Sequence, residues 1–157
     1  MKRLGSFVVF IALVAAVALT AGQFMPGAWY QALAKPSWTP PGWLFGPVWG
    51  VLYVMIAIAG WLVWKREPGE MVREDVVAAR WFWVSQLVFN GLWSPVMFGA
   101  HQIGLAFAVL ILMWISIVGF IVKAWPARTA AAVLFLPYLA WVSFAGALNF
   151  AIWRLNS

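Results

Sequence analysis

Apolar residues dominate this chain in five long runs, which polar and charged residues separate. The runs cover residues 4–24, 43–64, 81–100, 103–122 and 130–153, and none of them contains a charged side chain. A helix needs about 20 apolar residues to cross a hydrocarbon core of about 30 Å, and every run reaches that length. The pattern therefore predicts an all-α membrane protein, a bundle of five transmembrane helices in a single domain over residues 1–157.

Composition supports a membrane protein and excludes several functions. Of the 157 residues, 66% are hydrophobic and only 9% are charged, which is far too apolar for a soluble domain of this size. The net charge of +6 comes from cations scattered between the runs, so we expect no face that binds nucleic acid. The chain has no cysteine and a single histidine, so we expect no thiol catalysis and no metal site.

The first run raises the question of a secretory signal. Lys2 and Arg3 precede it, and the small residues of "LTAG" lie near its end. The apolar core of a signal peptide is usually about 7 to 15 residues long, and this run is longer. A retained first transmembrane helix is therefore favoured.

The distribution of lysine and arginine predicts the orientation of the helices. Positive residues resist translocation and concentrate on the cytoplasmic side. With the N-terminus inside, the inner cations are Lys2, Arg3, Lys65, Arg66, Arg73, Arg80, Lys123 and Arg128. Only Lys35 and Arg154 then lie outside. We expect a multi-pass protein of the bacterial cytoplasmic membrane, with the C-terminus outside and the charged connection "KREPGEMVREDVVAAR" inside as a loop.

The first outer connection is rich in proline. In "KPSWTPP", residues 35–41, the prolines lack a backbone donor and force extended geometry on the residues before them. A stiff, non-helical segment is predicted, and we expect it to fold over the bundle as a lid that caps a ligand cavity. Gly42, Gly46 and Gly50 follow at intervals of four and would let another helix approach closely.

Eleven of the 13 tryptophans fall into two groups by depth. Those near helix ends suit the membrane interface, where the ring is buried and its N–H stays hydrated: Trp43, Trp61, Trp64, Trp81, Trp83, Trp125 and Trp153. Four others lie well inside their runs: Trp49, Trp93, Trp114 and Trp141. An indole N–H at that depth needs an acceptor within the protein or its ligand, so these four are candidates for a functional site.

Several of these residues lie at similar depth, from the middle of the membrane outward. The second helix enters from outside, the third and fifth arrive from inside, and residues three or four apart share a helix face. The shared level contains Trp49, Tyr53, Asn90, Trp93, Ser94, Trp141, Ala145 and Leu148. Three helices therefore present aromatic or polar side chains beneath the predicted lid.

The third run offers two simpler interpretations of its unusual residues. Three polar side chains recur once per turn: Gln86, Asn90 and Ser94. Polar groups in a bilayer need hydrogen-bond partners, so the simpler role of these side chains is to form hydrogen bonds between helices. On another face, Gly91, Pro95 and Gly99 form a small-residue stripe that would suit the contact of a homodimer.

Three ordered blocks, "WYQALAKPSWTPPGWLFGPVWGVLY", "FNGLWSPVMFG" and "PYLAWVSFAGALNFAIWR", resemble the signature blocks of the TspO/MBR family of tryptophan-rich sensory and translocator proteins. The resemblance extends over the whole chain. It implies a five-helix bundle, often dimeric, that binds porphyrins such as protoporphyrin IX and benzodiazepine-type ligands in a cavity under the first loop. By motif position, Trp49 and Trp141 match the family's pocket tryptophans and Asn90 its polar pocket residue. Further lining residues implied in this way are Tyr30, Trp38, Pro40, Tyr53, Trp93, Ser94, Ala145 and Leu148.

The resemblance also bears on charged and sterol ligands. A flat macrocycle buries well against indole and phenol faces, and Lys35, Arg154 or water would pair with its propionates. His101 would ligate haem iron only as an exception, because a lone loop histidine is usually solvated. Eukaryotic members of the family carry a tyrosine before the basic residue of a sterol pattern, where this chain has Phe150 before Arg154. Cholesterol binding therefore lacks support here, and an interfacial anchor is the alternative role for Arg154.

Three functions from different classes follow from the resemblance. An aromatic cavity suits a membrane receptor or sensor for porphyrin-like ligands, linked to tetrapyrrole homeostasis, with no required cofactor and with porphyrin or haem as the ligand. A porphyrin or lipid transporter is the second, although no Asp, Glu, Lys or Arg lies within the runs to couple ions. A light- and oxygen-dependent porphyrin-degrading enzyme is the third, with Trp49 and Trp141 as redox-active candidates. Nothing in the sequence resembles a hydrolytic site.

Overall fold

A computed structural model describes residues 2–65 and 73–157. Throughout these residues the chain forms helices, turns and short connections, with no strand. The six α-helices of this part of the chain are α1 (Lys2–Gly22), α2 (Ala28–Ala32), α3 (Phe45–Trp64), α4 (Glu74–Ser94), α5 (Ile103–Ala124) and α6 (Thr129–Leu155). A 3-10 turn at Gly42–Leu44 leads into α3, and a π-helical turn at Pro95–Gly99 follows α4. The all-α prediction is confirmed.

The long helices are those of a membrane protein. Three of them are long and apolar enough to cross a bilayer: Gly42–Trp64, Ile103–Ala124 and Thr129–Leu155. A shorter apolar stretch, Ser6–Gly22, belongs to α1. The short helix α2 lies in the first connection, where the sequence predicted none, because five residues are too few to show a helical period.

The helix of the third run begins earlier than predicted. We expected a loop up to residue 80, but α4 starts at Glu74. The carboxylates of Glu74 and Asp75 lie in its first turn, where they stabilise the positive end of the helix dipole. The helix therefore extends beyond the apolar run that predicted it. Residues 66–72 of the same connection lie outside the described part of the chain.

The third run also ends differently from a regular helix. Pro95 has no backbone N–H to continue the α-helical pattern, and the chain enters a π-helical turn in which Ala100 N–H donates to the Pro95 carbonyl oxygen at 2.8 Å. His101 follows with a φ of 57°, in the left-handed region. These two residues turn the chain from α4 into α5.

The core of the bundle lies where α4 packs along α5, α5 along α6, and α3 against α6 and α1. Its largest fully buried side chains include Trp83, Tyr138, Phe120 and Phe135. The sequence placed Trp83 in the interfacial belt, and the structure corrects this. Trp83 is 1% exposed, and its indole donates to the Ile56 carbonyl oxygen at 2.9 Å. Because α4 starts at Glu74, residue 83 lies well inside the helix.

Candidate ligand site

Four polar side chains from three helices form one hydrogen-bonded chain inside the bundle. The Tyr53 hydroxyl of α3 donates to the Asn90 side-chain oxygen of α4 at 3.2 Å. The Asn90 amide donates to the Tyr138 hydroxyl of α6 at 2.8 Å, and that hydroxyl donates to the Gln86 side-chain oxygen at 3.0 Å. The Gln86 amide ends the series on the Trp83 carbonyl oxygen at 2.9 Å. Below, the polar chain means the side chains of Tyr53, Asn90, Tyr138 and Gln86.

The polar chain satisfies groups that would otherwise be costly at this depth. Gln86 and Asn90 are buried and bonded between helices, as the simpler interpretation of the third run predicts. Tyr138 completes the chain, and sequence reasoning missed it. The signal was present, because Tyr138 precedes Trp141 by three residues and therefore shares its helix face. Tyr53, at the other end of the chain, is only half-buried.

Trp49 adds an aromatic surface to the half-buried end of the polar chain. Its ring centroid lies 5.3 Å from that of Tyr53, with an angle of 30° between the planes. It meets the Tyr138 ring edge to face, at 6.1 Å and 70°. The structure thus brings Trp49, Tyr53 and Asn90 together. Because Trp49 and Tyr53 are half-buried, their accessible faces can take a flat aromatic partner.

A groove of about 610 Å³ runs between α3 and α6 and is here called the α3–α6 groove. Its lining consists of Pro47, Val48, Val51, Leu52, Met55, Pro137, Ala140, Trp141 and Phe144. The lining is almost entirely apolar. Pro137 cannot donate a backbone hydrogen bond, so α6 lacks one of its internal hydrogen bonds beside the groove, although the helix continues through this residue. Among the lining residues only Trp141 was a sequence candidate, because apolar groove residues look like core residues in a sequence.

Trp141 carries an unused hydrogen-bond donor. Its indole nitrogen is buried and has no partner among the residues that the structure describes. The ring packs edge to face against Phe45 at 5.5 Å and lies 5.7 Å from Phe144. Leaving a buried donor unsatisfied costs about 1–3 kcal/mol. The Trp141 N–H is therefore available to an acceptor that the described residues do not supply.

Two other deep tryptophans have the acceptors that their depth requires. Trp93 donates to the Asn149 side-chain oxygen at 3.1 Å, and the Asn149 amide donates to the Ile103 carbonyl oxygen at 3.1 Å. Trp114 donates to the Ser143 hydroxyl at 2.9 Å, which joins α5 to α6. Trp93, a predicted lining residue, therefore also holds α4 to α6. Sequence reasoning missed Asn149, although a carboxamide deep in an apolar run was a signal.

The connection after α2 is non-helical over residues 33–41, which includes the predicted stiff segment; this stretch is called the lid below. The Ala34 N–H donates to the Asn156 side-chain oxygen at 3.0 Å, and the Asn156 amide donates back to the Ala34 carbonyl oxygen at 2.9 Å. Trp38 packs edge to face against Phe144 at 5.8 Å. The lid is thus fastened at the end of α6 and reaches the edge of the α3–α6 groove.

The short helix α2 packs against the turn that follows α4. The rings of Trp29 and His101 are stacked, with centroids 4.1 Å apart and planes 13° from parallel. Tyr30 meets Phe98 edge to face at 5.3 Å. Burial raises the pKa of the Tyr30 hydroxyl above its usual value, so the phenol stays neutral. These contacts hold the segment before the lid against the bundle.

Comparison with known proteins identifies the family. A model of the TspO/MBR family matches residues 7–154. The chain belongs to the TspO/MBR family. It is similar to protein CrtK of Rhodobacter capsulatus, at 40% identity over 96% of this chain and 92% of that protein. It is also 41% identical to the human translocator protein over 82% of this chain and 75% of the relative. A tryptophan-rich sensory protein of Cereibacter sphaeroides is 37% identical over 96% and 90%.

The remaining lining residues that the TspO/MBR resemblance implies lie close to these elements. Pro40 is a half-buried residue of the lid. Ser94 ends α4 and is buried. Ala145 is half-buried against the core, and Leu148 is 5% exposed, further along the same face of α6 as Trp141. Trp49 and Trp141 pack against different sets of rings, and no ring contact joins the two indoles.

Three basic residues have local environments that bear on their predicted roles. The Lys35 ammonium donates to the carbonyl oxygens of Tyr30, Gln31 and Leu33, at 2.7, 3.0 and 2.9 Å, and so closes the end of α2. Its three donors are thereby used within the lid region. Arg154 is exposed in the last turn of α6, where a cation is favourable. His101 is exposed beyond its stack on Trp29. Within the described residues, no group of three His, Cys, Asp or Glu forms a metal site.

The two small-residue stripes differ in what they face. A Cβ added at Gly91 would lie 3.7 Å from Val17, and one at Gly99 would lie 2.8 Å from the Phe24 ring. The stripe that includes Pro95 therefore packs within the chain, against α1 and the residues after it. The other stripe, at Gly42, Gly46 and Gly50, has nothing within 4 Å of the added Cβ positions.

Proposed function

We propose that this protein is an integral membrane receptor or sensor that binds porphyrin-like tetrapyrroles and benzodiazepine-type ligands between α3, α4 and α6, beneath the lid. The observation that carries the proposal is the buried N–H of Trp141, a residue that lines the apolar α3–α6 groove; this N–H has no partner among the described residues. A ligand that brings an acceptor into the groove would satisfy this donor and remove a cost of about 1–3 kcal/mol.

A flat conjugated ligand suits the shape and chemistry of this site. The groove volume of about 610 Å³ falls within the range of about 300–1,000 Å³ that is usual for small-molecule sites. The rings of Trp49, Tyr53 and Trp141 offer large apolar faces with few polar atoms, which favours a macrocycle over a charged metabolite.

We further propose that all five long helices cross the membrane in one domain, with the N-terminus inside and the lid outside. The bias of lysine and arginine supports this orientation. The bacterial cytoplasmic membrane stays a prediction from the distribution of lysine and arginine. A homodimer through Gly91, Pro95 and Gly99 stays a prediction, and it would have to use surface that Val17 and Phe24 leave uncovered.

The central test is the effect of Trp141→Phe on the affinity for protoporphyrin IX. The substitution keeps an aromatic ring and removes the N–H. We expect the dissociation constant to rise about five- to tenfold, which corresponds to the loss of one hydrogen bond of about 1 kcal/mol. The measurement is an equilibrium titration of the purified full chain in detergent, followed by the absorbance of the porphyrin.

Trp81→Phe provides the matched control for this titration. Trp81 is an indole of α4 that is 69% exposed and does not line the groove. Its substitution should leave the dissociation constant unchanged. The proposal is wrong if wild-type protein does not bind protoporphyrin IX, or if Trp141→Phe binds it as tightly as wild type does.

A second candidate function is transport of the same ligands, and the name of the human relative, translocator protein, favours it. Transport predicts that porphyrin crosses the bilayer of reconstituted vesicles at a rate that scales with the protein content. A receptor binds porphyrin without such flux. The porphyrin-degrading alternative predicts that illumination in air converts the bound pigment to a new absorbing product, and that this needs Trp49 and Trp141.

A further inference from the structure

The donors and acceptors of the polar chain can be arranged in only one direction, and Gln86, at the buried end, sets that direction. The Gln86 amide group lies 2.9 Å from the Trp83 carbonyl oxygen, which can only accept a hydrogen bond. If the carboxamide were turned over, two oxygens would face each other at that distance. The nitrogen of Gln86 must therefore point to Trp83, and its oxygen must point to Tyr138. Gln86 is fully buried, so water cannot offset the reversed arrangement.

The orientation of Gln86 determines the orientation of each further residue of the polar chain in turn. The Gln86 oxygen needs a donor, so the single hydroxyl proton of Tyr138 points to it, at 3.0 Å. The Met113 sulfur lies 3.3 Å from the same hydroxyl and is a weak acceptor, so it too can only receive the Tyr138 proton. Asn90 must then donate to Tyr138 through its nitrogen, and its oxygen faces Tyr53.

Tyr53 consequently has no proton left for a ligand. Its only hydroxyl hydrogen is committed to the Asn90 oxygen at 3.2 Å. No donor from the described residues reaches the Tyr53 oxygen, so its lone pairs are not used by these residues. The Tyr53 side chain is half-buried, and its ring lies next to that of Trp49. The Trp141 N–H is the complementary group, a donor without an acceptor.

We infer that the site selects ligands by hydrogen-bond polarity: Tyr53 acts as an obligate acceptor, held so by Gln86, and a ligand must present an N–H or O–H donor to it. This inference rests on the proposed function, because it concerns the same ligand. Uncharged amide or protonated carboxyl groups at the edge of a ligand fit at Tyr53. An ester or a carboxylate would place lone pairs against lone pairs. Gln86 acts on the ligand only through Asn90 and Tyr138 and is therefore a positioning residue.

The experiment compares two uncharged porphyrins of similar size, the bis-amide and the dimethyl ester of protoporphyrin IX. The side-chain amides of the first porphyrin can donate a hydrogen bond, whereas the side-chain esters of the second can only accept one. Both porphyrins keep the same pyrrole N–H groups. Each is titrated into the purified full chain in detergent, and the result is the ratio of the two dissociation constants. We expect wild-type protein to prefer the amide about tenfold, since a hydrogen bond forms with one porphyrin and an acceptor is left facing an acceptor with the other.

Two variants separate polarity from packing. Gln86→Leu removes the acceptor that holds the Tyr138 proton, so Tyr138 and Asn90 can reverse and Tyr53 can donate or accept. Tyr53→Phe removes the lone pairs themselves. In both variants the preference should fall to within about twofold, because the lost hydrogen bond accounts for it. Ser85→Ala is the control, since Ser85 precedes Gln86 on α4 but bonds only to the Trp81 carbonyl oxygen. It should keep the wild-type ratio.

The ratio distinguishes this inference from the proposed function. A purely structural effect of Gln86→Leu would weaken both porphyrins alike and leave their ratio unchanged, which would overturn the inference. So would wild-type protein that binds both porphyrins without preference, although the proposed function would then stand. If neither porphyrin binds, the proposed function fails and the inference fails with it. If Gln86→Leu does not fold, the ratio in Tyr53→Phe decides alone.

Discussion

At the scale of single residues, the closest contact between α3 and α4 depends on the absence of one side chain. A Cβ added to Gly60 would lie 2.5 Å from two ring atoms of Trp83, closer than real Cβ atoms come. Trp83 cannot easily move, because its indole is bonded to Ile56 one turn away and its ring packs against Phe10 and Trp64, at 5.4 and 5.5 Å. Glycine at position 60 is therefore required by packing.

Gly60→Ala should destabilise the protein by about 1–3 kcal/mol, the usual cost of overpacking a core. The measurement is the midpoint of unfolding when the protein in mild detergent is titrated with sodium dodecyl sulfate. Gly50→Ala is the matched control on the same helix, because nothing lies within 4 Å of its added Cβ. Alanine is the better helix former, so Gly50→Ala should be neutral or slightly stabilising. Equal midpoints for the two variants would contradict this account of the interface.

At the scale of elements, one side chain carries the hydrogen bonds that the described residues form between the lid and the end of α6. Asn156 pairs with both backbone groups of Ala34, in the manner of a short sheet contact. Its amide also donates to the Ile152 carbonyl oxygen at 2.7 Å, which fixes it to the end of α6. Trp38 also packs on Phe144 of α6, but through rings and not through backbone groups. The hydrogen bonds of Lys35 and Thr39 stay within α2 and the lid. Asn156 therefore controls how firmly the lid is held.

Asn156→Ala should loosen the lid without unfolding the bundle. Two hydrogen bonds of about 0.5–1.5 kcal/mol each are lost, and the low end applies because both are exposed. We expect hydrogen–deuterium exchange of the amides in residues 33–41 to rise about fivefold, while exchange in α5 stays unchanged. Ser157→Ala is the control, because the Ser157 hydroxyl bonds only to the Trp153 carbonyl oxygen. Unchanged exchange in Asn156→Ala would show that the ring contacts suffice.

At the scale of the whole molecule, basic side chains gather where α3 ends. Arg80 donates to the Val63 carbonyl oxygen at 2.9 Å, and Arg128 donates to those of Leu62 and Lys65, each at 3.2 Å. The last carbonyls of a helix lack partners within it, and the helix dipole favours cations there. In the proposed orientation this end faces the cytoplasm. The same basic side chains that orient the protein in the membrane would then also cap the C-terminal end of α3.

Orientation can be tested directly, because the chain contains no cysteine. A single cysteine therefore reports its side of the membrane without background labelling. Ser37→Cys in the lid should react with a membrane-impermeant maleimide on intact cells, and Pro126→Cys in the turn before α6 should react only after the membrane is opened. Both positions are exposed, so access is not limited by burial. The reverse labelling pattern would show that the N-terminus lies outside.

The sequence predicted those helices whose ends coincide with a change in hydropathy. The start of α5 at residue 103 was correct, because a turn with His101 precedes it. The predicted start of α4 was wrong. Glu74 and Asp75 favour the first turn of a helix through their charge, which a pattern of hydropathy does not show. Helix α2 was missed, since Ala28–Ala32 is held by rings of other elements and not by its own pattern.

The sequence predicted which residues of the candidate site share a depth in the membrane. Counting residues placed Trp49, Tyr53 and Asn90 at one level, and the structure brings them into contact. Depth does not reveal how a helix is rotated about its axis, and helices that are apolar on every side carry little information on which face points inward. For that reason the roles of Tyr138 and Asn149, and the α3–α6 groove, emerged only from the packing.

The pair formed by Trp64 and Trp83 has a spectroscopic consequence. Their rings are held 5.5 Å apart with planes 69° from parallel, which makes them a rigid, chiral pair of chromophores. Electronic transitions of two indoles in such an arrangement couple, and the coupling produces a circular dichroism couplet of opposite signs. That optical signature would vanish when α3 and α4 separate, so a thermal scan at one wavelength would follow their association in any detergent, with or without ligand.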